Sequence, residues 1–255
     1  MKVFALPTRV SLLILYYIFH KNFFFGLFYK LFFKNFYYKK LIFNLISFRL
    51  PISNYSSFLF NTYEFNDRKL IEKYITKKNK CIVIGGGLGF IATLCFFKSK
   101  KKILVFEIDH SICDNLSKNL QRNFCKFSLF NKNLLIKNKS SSKFVNYKYF
   151  FYHDDFLSNS IFRKSNKKFK VENITPPKIK NFDKFNTLVI DAEGMEKYYI
   201  SNIKLLKNIS FLFFELHYDL ISKKEVKKIN DVLYKNNFVL VDKCFNSFFY
   251  KKIFF

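Results

Sequence analysis

The chain has 255 residues, half of them hydrophobic, which is enough to bury a full core in one sizeable domain plus an appendage, or in two small domains. Its net charge of +27 would suit nucleic acid or an anionic membrane, but only five of the 45 basic residues are Arg and the Lys are spread along the whole chain. The abundance of Lys, Asn, Phe, Ile and Tyr indicates the codon bias of an AT-rich genome, so we do not expect nucleic-acid binding.

Residues 1–60 differ from the rest because they contain many aromatic residues, scattered Lys and no Asp or Glu. Their longest uninterrupted apolar stretch, residues 10–19, is too short to span a bilayer, and no signal-peptide cleavage site follows it. Between residues 23 and 46, Lys30 and Lys34 lie one helical turn apart among Phe, Leu and Tyr. This pattern predicts a helical, aromatic and basic segment, which is either a cap on the main domain or a membrane-surface segment that associates peripherally through residues 10–46.

Residues 61–255 are predicted to form the main domain. A helix capped by Asn66 or Asp67 is expected first, and buried apolar runs then alternate with helical patterns. The predicted strands are residues 81–84, 103–106, 147–152, 187–190 and 211–214. The predicted helices are residues 67–75, 88–97, 111–122, 195–206 and 223–234, with a loop or lid at 157–184 and a closing hairpin of strands at 238–241 and 248–253. The alternation predicts an α/β fold, a doubly wound Rossmann-like mostly parallel sheet with a C-terminal antiparallel hairpin.

The predicted parallel strands share one feature, which is that each ends in glycine or in polar side chains. The residues at these ends are the Gly85–Gly89 turn, Glu107, Asp154, Asp191 and Glu215. Ligands of open α/β sheets bind at the carboxyl ends of the strands, so the sequence predicts a site along one edge of one sheet.

The glycine turn is the strongest local signal, since four of the six glycines are Gly85, Gly86, Gly87 and Gly89. A strand that enters such a cluster and is followed by a helix typically holds a nucleotide-like cofactor. The dinucleotide fingerprint would need glycine where Phe90 stands, whereas the compact G-x-G-x-G form resembles the first motif of class I S-adenosylmethionine-dependent methyltransferases. At the end of the second strand, Glu107 can accept hydrogen bonds from both hydroxyls of a ribose, a feature common to NAD and S-adenosylmethionine.

Residues 188–196, Leu-Val-Ile-Asp-Ala-Glu-Gly-Met-Glu, resemble the K-I-D-x-E-G-x-E signature of the FkbM family of methyltransferases. Residues 214–217, Phe-Glu-Leu-His, resemble the strand that follows it in that family, and the similarity covers roughly residues 60–254. The resemblance implies O-methylation of a sugar, polyketide or glycan hydroxyl, with S-adenosylmethionine as the donor.

The resemblance also implies which residues form the site. The expected catalytic residues are Glu193, His217 and Asp191, with His153 a further candidate for the general base and no metal expected. The expected cofactor-binding residues are Glu64, Gly85, Gly86, Gly87, Gly89, Glu107, Ile108, Asp154 and Asp191. The chain departs from the pattern at Val83, where methyltransferases usually carry an acid that helps to hold the methionine ammonium, and at Val189, where the family has Lys. Asp191 or Glu64 could replace the acid.

Three other functions remain open at this point. An NAD-dependent oxidoreductase would share the ribose-binding acid, and a catalytically weakened membrane-associated binding protein would account for Val83 and the aromatic N-terminus. A nucleic-acid methyltransferase is favoured only by the charge. Its amino-directed members carry Asn or Asp, two Pro and an aromatic residue where this chain has Asp191-Ala192-Glu193-Gly194, which argues against it. The five cysteines form no C-x-x-C pair, which predicts a reducing, cytoplasmic location, with peripheral attachment to the inner membrane surface left open.

Overall fold

A computed structural model of the chain describes residues 22–45, 50–134, 149–151, 153 and 161–254. The helices are α1 (Phe23–Phe32), α2 (Tyr55–Leu59), α3 (Phe65–Tyr74), α4 (Phe90–Ser99), α5 (His110–Arg122), α6 (Glu196–Ile200), α7 (Ile203–Leu206) and α8 (Lys223–Lys235). The strands are β1 (Asn35–Tyr38), β2 (Leu41–Asn44), β3 (Cys81–Ile84), β4 (Ile103–Phe106), β5 (Phe127–Phe130), β6 (Asn133–Leu134), β7 (Tyr149–Phe151), β8 (Lys168–Lys170), β9 (Asn173–Ile174), β10 (Thr187–Ile190), β11 (Phe211–Glu215), β12 (Phe238–Cys244) and β13 (Ser247–Lys252). Short 3-10 turns lie at Ile52–Asn54, Pro176–Lys178 and Phe182–Lys184.

The main sheet has seven strands in the order β12-β13-β11-β10-β3-β4-β5. Strands β11, β10, β3, β4 and β5 are parallel, whereas β13 is antiparallel to both of its neighbours. Since β13 is antiparallel to β11 and β12 is antiparallel to β13, β12 runs in the same direction as the parallel strands. Counted along the chain, the seven strands therefore lie in the order 6-7-5-4-1-2-3, with only the seventh reversed.

Both faces of this sheet are covered, because successive side chains of a strand point to opposite sides. On one face Val83, Val105 and Val189 pack with α3, α4, α5 and the N-terminal elements. On the other face Ile82 and Ile190 pack with α6, α7 and α8. Each four-residue parallel strand in the middle of the sheet is buried throughout, which explains why its residues are apolar. The exception is Thr187 at the start of β10, whose hydroxyl accepts a hydrogen bond from Asn79 Nδ2 at 2.9 Å. The predicted doubly wound α/β fold is confirmed.

Most predicted elements of the main domain are confirmed, with shifted ends. Strands β3, β4 and β10 have the predicted bounds, and the closing hairpin is present but longer. Helix α3 begins at Phe65, two residues earlier than predicted, directly after Glu64, which has a left-handed backbone with φ 49°. Helix α4 begins at Phe90 instead of residue 88, since Gly89 has φ 89° and cannot be part of a right-handed helix.

Other predictions for this domain were wrong. Strand β5 was missed because it is an edge strand with only partly buried residues. The predicted helix at 195–206 is two short helices, since the side chain of Asn202 accepts a hydrogen bond from Leu205 N and starts α7. The predicted loop at 157–184 contains, among its described residues, β8, β9 and two 3-10 turns.

The strand predicted at 147–152 was also wrong as a member of the main sheet. Its described part, β7, pairs antiparallel with β8 in a separate two-stranded sheet, with Phe150 opposite Phe169. In β8 two exposed lysines flank the less exposed Phe169, an alternation typical of a strand with one face in solvent. Asp154, which was expected at the end of this strand, lies outside the described residues.

The N-terminal segment is less helical than predicted, because α1 ends at Phe32 and Lys34 lies beyond it. An antiparallel hairpin, β1–β2, follows and packs Phe36 and Phe43 on Phe90 at ring distances of 5.4 and 5.3 Å. The segment thus rests on the first residue of α4, next to the glycine turn. Within the described part of the chain, no helix has both the length and the hydropathy needed to cross a membrane.

Candidate functional site

The glycine turn joins the ends of three neighbouring strands. Gly85 N donates to the carbonyl of Phe106 at 3.0 Å, and Asp191 N donates to the carbonyl of Ile84 at 2.9 Å. Gly85 has φ +85°, and a Cβ at this position would collide with the carbonyl oxygen of Asp191. Gly87 also has positive φ, but apart from Gly87 itself and its two neighbours in the chain no described residue has an atom within 4 Å of the place that its Cβ would take. The turn therefore packs tightly against β10 on one side and is open at Gly87 on the other.

Glu107 connects the glycine turn to the end of β4. Its Oε2 accepts from Gly87 N at 2.9 Å and its Oε1 accepts from Asp109 N at 2.8 Å. Burial raises the pKa of Glu107 to about 7, although these backbone donors favour the charged form. Each carboxylate oxygen can accept more than one hydrogen bond, so Glu107 can still receive a ligand hydroxyl.

One cleft at the carboxyl ends of β3, β4 and β10 gathers most of the predicted site residues. Those that line it are Glu64, Gly85, Gly86, Gly87, Glu107, Ile108, Asp191 and Glu193. The remaining predicted glycine, Gly89, packs against the side chain of Leu116, 3.0 Å from the place of an added Cβ, so it serves helix packing. The edge of the sheet that the sequence indicated is therefore the edge where the cleft lies.

Beside this cleft, Glu196 holds the loop after β10 and the ring of His217. Glu196 is fully buried, and its Oε1 accepts from Ala192 N at 3.1 Å and Gly194 N at 3.2 Å. The same oxygen lies 3.0 Å from His217 Nδ1. On the other side of the ring, Nε2 lies 3.5 Å from Asp191 Oδ1 and 3.4 Å from Glu193 Oε1. Of the three predicted catalytic residues, His217 thus contacts both Asp191 and Glu193.

The charges of this group determine its protonation. Burial alone would lower the pKa of His217, but hydrogen bonds with Glu193 and Glu196 and the charge of Asp191 raise it to about 12. At neutral pH the ring is therefore an imidazolium, which is a proton donor to its neighbours. Burial raises the pKa of Asp191 well above its ordinary range, and repulsion from Glu215 and Glu64 adds to this.

A second group of carboxyls, Glu64, Asp67 and Glu215, adjoins the first. One ligand atom from each lies within 4.8 Å of the others, and the same holds for Asp191, Glu215 and His217. Burial, with the charge of Glu215, raises the pKa of Glu64 to about 7. Carboxylates and imidazole at such distances can hold a divalent cation, and the expectation that the site uses no metal stays a prediction.

Several residues of the site were not predicted. Glu196 ends the motif that resembles the FkbM signature and Glu215 ends a predicted strand, so both carry a signal in the sequence. The position of Asp67 indicates only a helix cap. Arg163 lies in the predicted loop, and its guanidinium binds Glu193 at 2.6 Å and Asp219 at 2.7 Å. The carbonyl of Arg163 in turn lies 2.9 Å from Nε2 of His153, the other histidine considered as a base.

The fold and the cleft define an α/β protein with a cleft at the carboxyl edge of a mostly parallel sheet. No protein-family model matches the chain, and no curated protein matches its sequence. An uncharacterized protein from Listeria monocytogenes serotype 4b is similar in structure over 73% of this chain and 66% of its own, with 12% identity and a TM-score of 0.44. The matched part thus spans about two thirds of the Listeria protein.

Two further solved structures resemble the chain to a similar degree. A ribosomal protein L11 methylase from Lactobacillus delbrueckii subsp. bulgaricus aligns over 73% of this chain and 77% of its own, with 15% identity and a TM-score of 0.42. A putative RNA methyltransferase from Pyrococcus horikoshii aligns over 82% and 88%, with 13% identity and a TM-score of 0.40. We infer no function from similarity at this level.

Proposed function

We propose that the protein is an S-adenosylmethionine-dependent methyltransferase of the FkbM type, which methylates a hydroxyl of a sugar, a glycan or another small molecule. The observation that carries the proposal is the cleft in which the glycine turn, Glu107 and Asp191 meet at the ends of three parallel strands. The strand order supports it as well. A reversed seventh strand lies between the fifth and the sixth, whereas the dinucleotide-binding order 3-2-1-4-5-6 has none, so the order argues against the NAD-dependent alternative.

The residues of the cleft fit this cofactor. The open space above Gly87 and the positive φ of the turn allow a ligand to approach the backbone closely. Glu107 can accept hydrogen bonds from ribose hydroxyls at the end of β4. Since Val83 cannot hold the methionine ammonium, we assign that role to Glu64, whose carboxyl lines the cleft among other acids. When bound, S-adenosylmethionine supplies a methyl group activated by a sulfonium.

The residues around Asp191 can prepare a hydroxyl for methylation. Asp191 Oδ1 is shielded from solvent and accepts no hydrogen bond from the described residues by the usual distance criterion. In its ionised form Asp191 is a stronger base than an ordinary carboxylate, because burial and the neighbouring acids raise its pKa, so it can accept the proton of an alcohol. The His217 imidazolium keeps Asp191 and Glu193 in position, and Glu193, oriented by Arg163, offers an acceptor for a second hydroxyl. A base role for His217 itself stays a prediction, since the ring would first have to lose its proton.

Calorimetry on the full chain tests the cofactor. We expect binding of S-adenosylmethionine and S-adenosylhomocysteine and much weaker binding of NAD. Tight NAD binding without uptake of either sulfur compound would overturn the proposal in favour of an oxidoreductase. Repeating the titration with EDTA and with added Mg²⁺ tests the expectation that no metal takes part.

Mass spectrometry tests the acceptor. Glycans and small molecules from cells that lack the gene are incubated with the purified protein and methyl-labelled S-adenosylmethionine. We expect label in an ether-linked methyl group of a sugar or another hydroxyl compound. Label confined to RNA or to amino groups would contradict O-methylation while leaving the cofactor assignment intact.

A further inference from the structure

Helix α1 is attached to the rest of the protein along one side. The side chain of Asn22 caps it by accepting from Phe24 N and Phe25 N at 3.0 and 3.3 Å. Gly26 packs against the backbone of the 3-10 turn at Ile52–Asn54 so closely that any side chain would collide with it. One turn further, Tyr29 is buried and its hydroxyl donates to Asn35 O at 2.7 Å. These contacts fix the orientation of the helix.

The opposite side of α1 is apolar and exposed. Phe24, Phe28 and Leu31 recur at intervals of four and three residues, which places them on one side of the helix. They are 78%, 49% and 70% exposed, and Phe32, which contacts Phe28 at 4.9 Å, is 69% exposed. Together with Phe23 they form what we call the aromatic face of α1. Soluble proteins rarely expose a contiguous apolar patch of this kind unless it binds a partner or a membrane.

Codon bias does not explain this face. A bias toward Phe acts along the whole chain, so it would distribute exposed Phe over the whole surface. Among the described residues nine Phe are markedly exposed, and six of these nine lie between Phe23 and Phe33. The exposed rings are therefore concentrated on one ten-residue helix and the residue after it.

The surroundings of the aromatic face are strongly basic. The chain contains no Asp or Glu before Glu64, and three exposed lysines are Lys30 on α1, Lys34 between α1 and β1, and Lys40 in the β1–β2 turn. Lys39 is exposed as well but binds Glu72 at 2.6 Å. We propose that the aromatic face of α1 docks the protein on the surface of an anionic lipid membrane. The rings enter the boundary between headgroups and acyl chains, and the lysines contact anionic headgroups. The helix is about 15 Å long, so it lies in the plane of the membrane and does not cross it.

Vesicle sedimentation with the full chain tests this docking. Wild-type protein is mixed with vesicles of phosphatidylcholine alone or of phosphatidylcholine with phosphatidylglycerol, and we expect it to sediment with the anionic vesicles. The variant with Phe24→Ser, Phe28→Ser and Phe32→Ser should bind the anionic vesicles at least about tenfold more weakly than wild type. The substitutions remove most of the apolar area that the helix would bury in the membrane. Because these side chains are exposed, circular dichroism and thermal melting should stay unchanged.

Matched controls lie on α8. Tyr234→Ser removes another ring that is 83% exposed, and Lys227→Gln with Lys228→Gln removes two exposed charges. Both controls should sediment like wild type, whereas Lys30→Gln with Lys34→Gln should weaken binding to anionic vesicles. Equal sedimentation of wild type and the triple Phe variant would overturn the proposal and assign binding to the overall charge or to residues 1–21. A wild-type dimer that the triple variant turns into a monomer, without vesicle binding, would also overturn it and assign the face to a second copy of the chain.

Discussion

The ring of His217 and the carboxyl of Glu196 form a buried contact, with Nδ1 3.0 Å from Oε1. The same oxygen accepts the backbone N–H groups of Ala192 and Gly194, so one carboxyl fixes both the loop after β10 and the ring at the end of β11. Since that loop carries Asp191 and Glu193, Glu196 positions the proposed catalytic group without lining the cleft itself.

We expect Glu196→Gln to lower the pKa of His217 toward its ordinary value. The amide carbonyl can still accept the two backbone N–H groups, but the negative charge that stabilises the imidazolium is lost. The pKa is measured from the chemical shift of the ring proton by NMR. Glu225→Gln is the control, because it removes a carboxyl that binds Lys197 at 2.7 Å near the protein surface. Identical titration curves of His217 in the two variants would contradict the positioning role.

Gly85→Ala and Gly87→Ala should differ in their effect on stability. Both positions have positive φ, which costs an alanine about 1 kcal/mol. At Gly85 the new Cβ also collides with the backbone of Asp191, so we expect a total loss of roughly 3 kcal/mol or more in the free energy of unfolding. Urea denaturation measures both values. Equal losses would contradict the close approach of β3 and β10 at the glycine turn.

Glu107→Gln should weaken binding of S-adenosylhomocysteine by about ten- to a hundredfold, the equivalent of roughly 1.4–2.8 kcal/mol. The variant loses the charge that favours two ribose hydroxyls and one of the two oxygens that accept Gly87 N and Asp109 N. Calorimetry gives the affinity, and a melting curve shows whether the fold is intact. The control is Glu172→Gln, an exposed carboxyl that binds Lys132. A folded Glu107→Gln protein with unchanged affinity would contradict the assigned role.

The stability of the ligand-free protein should fall as the pH rises from 5 to 8. The pKa values of Glu64 and Glu107 are about 7 in the folded protein and ordinary when it unfolds, so the folded state binds protons more tightly. Their contribution is complete below the ordinary pKa near 4.5 and is lost as the pH passes about 7. For the buried Glu107 the loss amounts to about 2–3 kcal/mol. His217 acts in the same direction, since its pKa is also raised.

Urea unfolding at several pH values measures this dependence, and Glu64→Gln should flatten it. Glu72→Gln is the matched control, because Lys39 and Tyr38 lower the pKa of Glu72, against the effect of burial. The stability that Glu72 contributes is complete above its ordinary pKa, so its loss should be uniform between pH 5 and 8. A stability that rises with pH in wild type would contradict the raised pKa values that burial and the neighbouring acids give to Glu64 and Glu107.

The central part of the fold could be predicted from sequence because its strands are buried on both faces. The run Cys81–Ile84 has no polar position and Thr187–Ile190 has only Thr187 at its start, and the glycines directly after β3 fix where that strand ends. Edge elements carried a weaker signal. Strand β5 and the pair β7–β8 are only partly buried, so their sequences tolerate polar residues and resemble loops.

The candidate site was predicted in part for the same reason. Strand ends give the positions of Glu107, Asp191 and His217, because parallel strands share one carboxyl edge. Partners that approach from other elements gave no such signal. Asp67 on α3 and Arg163 in the predicted loop reach the site only through the way the elements pack. Protonation of His217 depends on three carboxyls of residues 191–196, a segment after β10 that packing brings against a ring at the end of β11.

By itself the sequence determined the α/β class, the glycine turn and the edge of the sheet on which polar side chains gather, because these follow from local patterns of apolar residues and glycine. Tertiary structure alone decided which acids repel one another, which acids stabilise the imidazolium of His217, and which side of α1 remains exposed. Those properties depend on distances and burial between residues far apart in the chain, and electrostatic energies and solvent exposure are set by such distances.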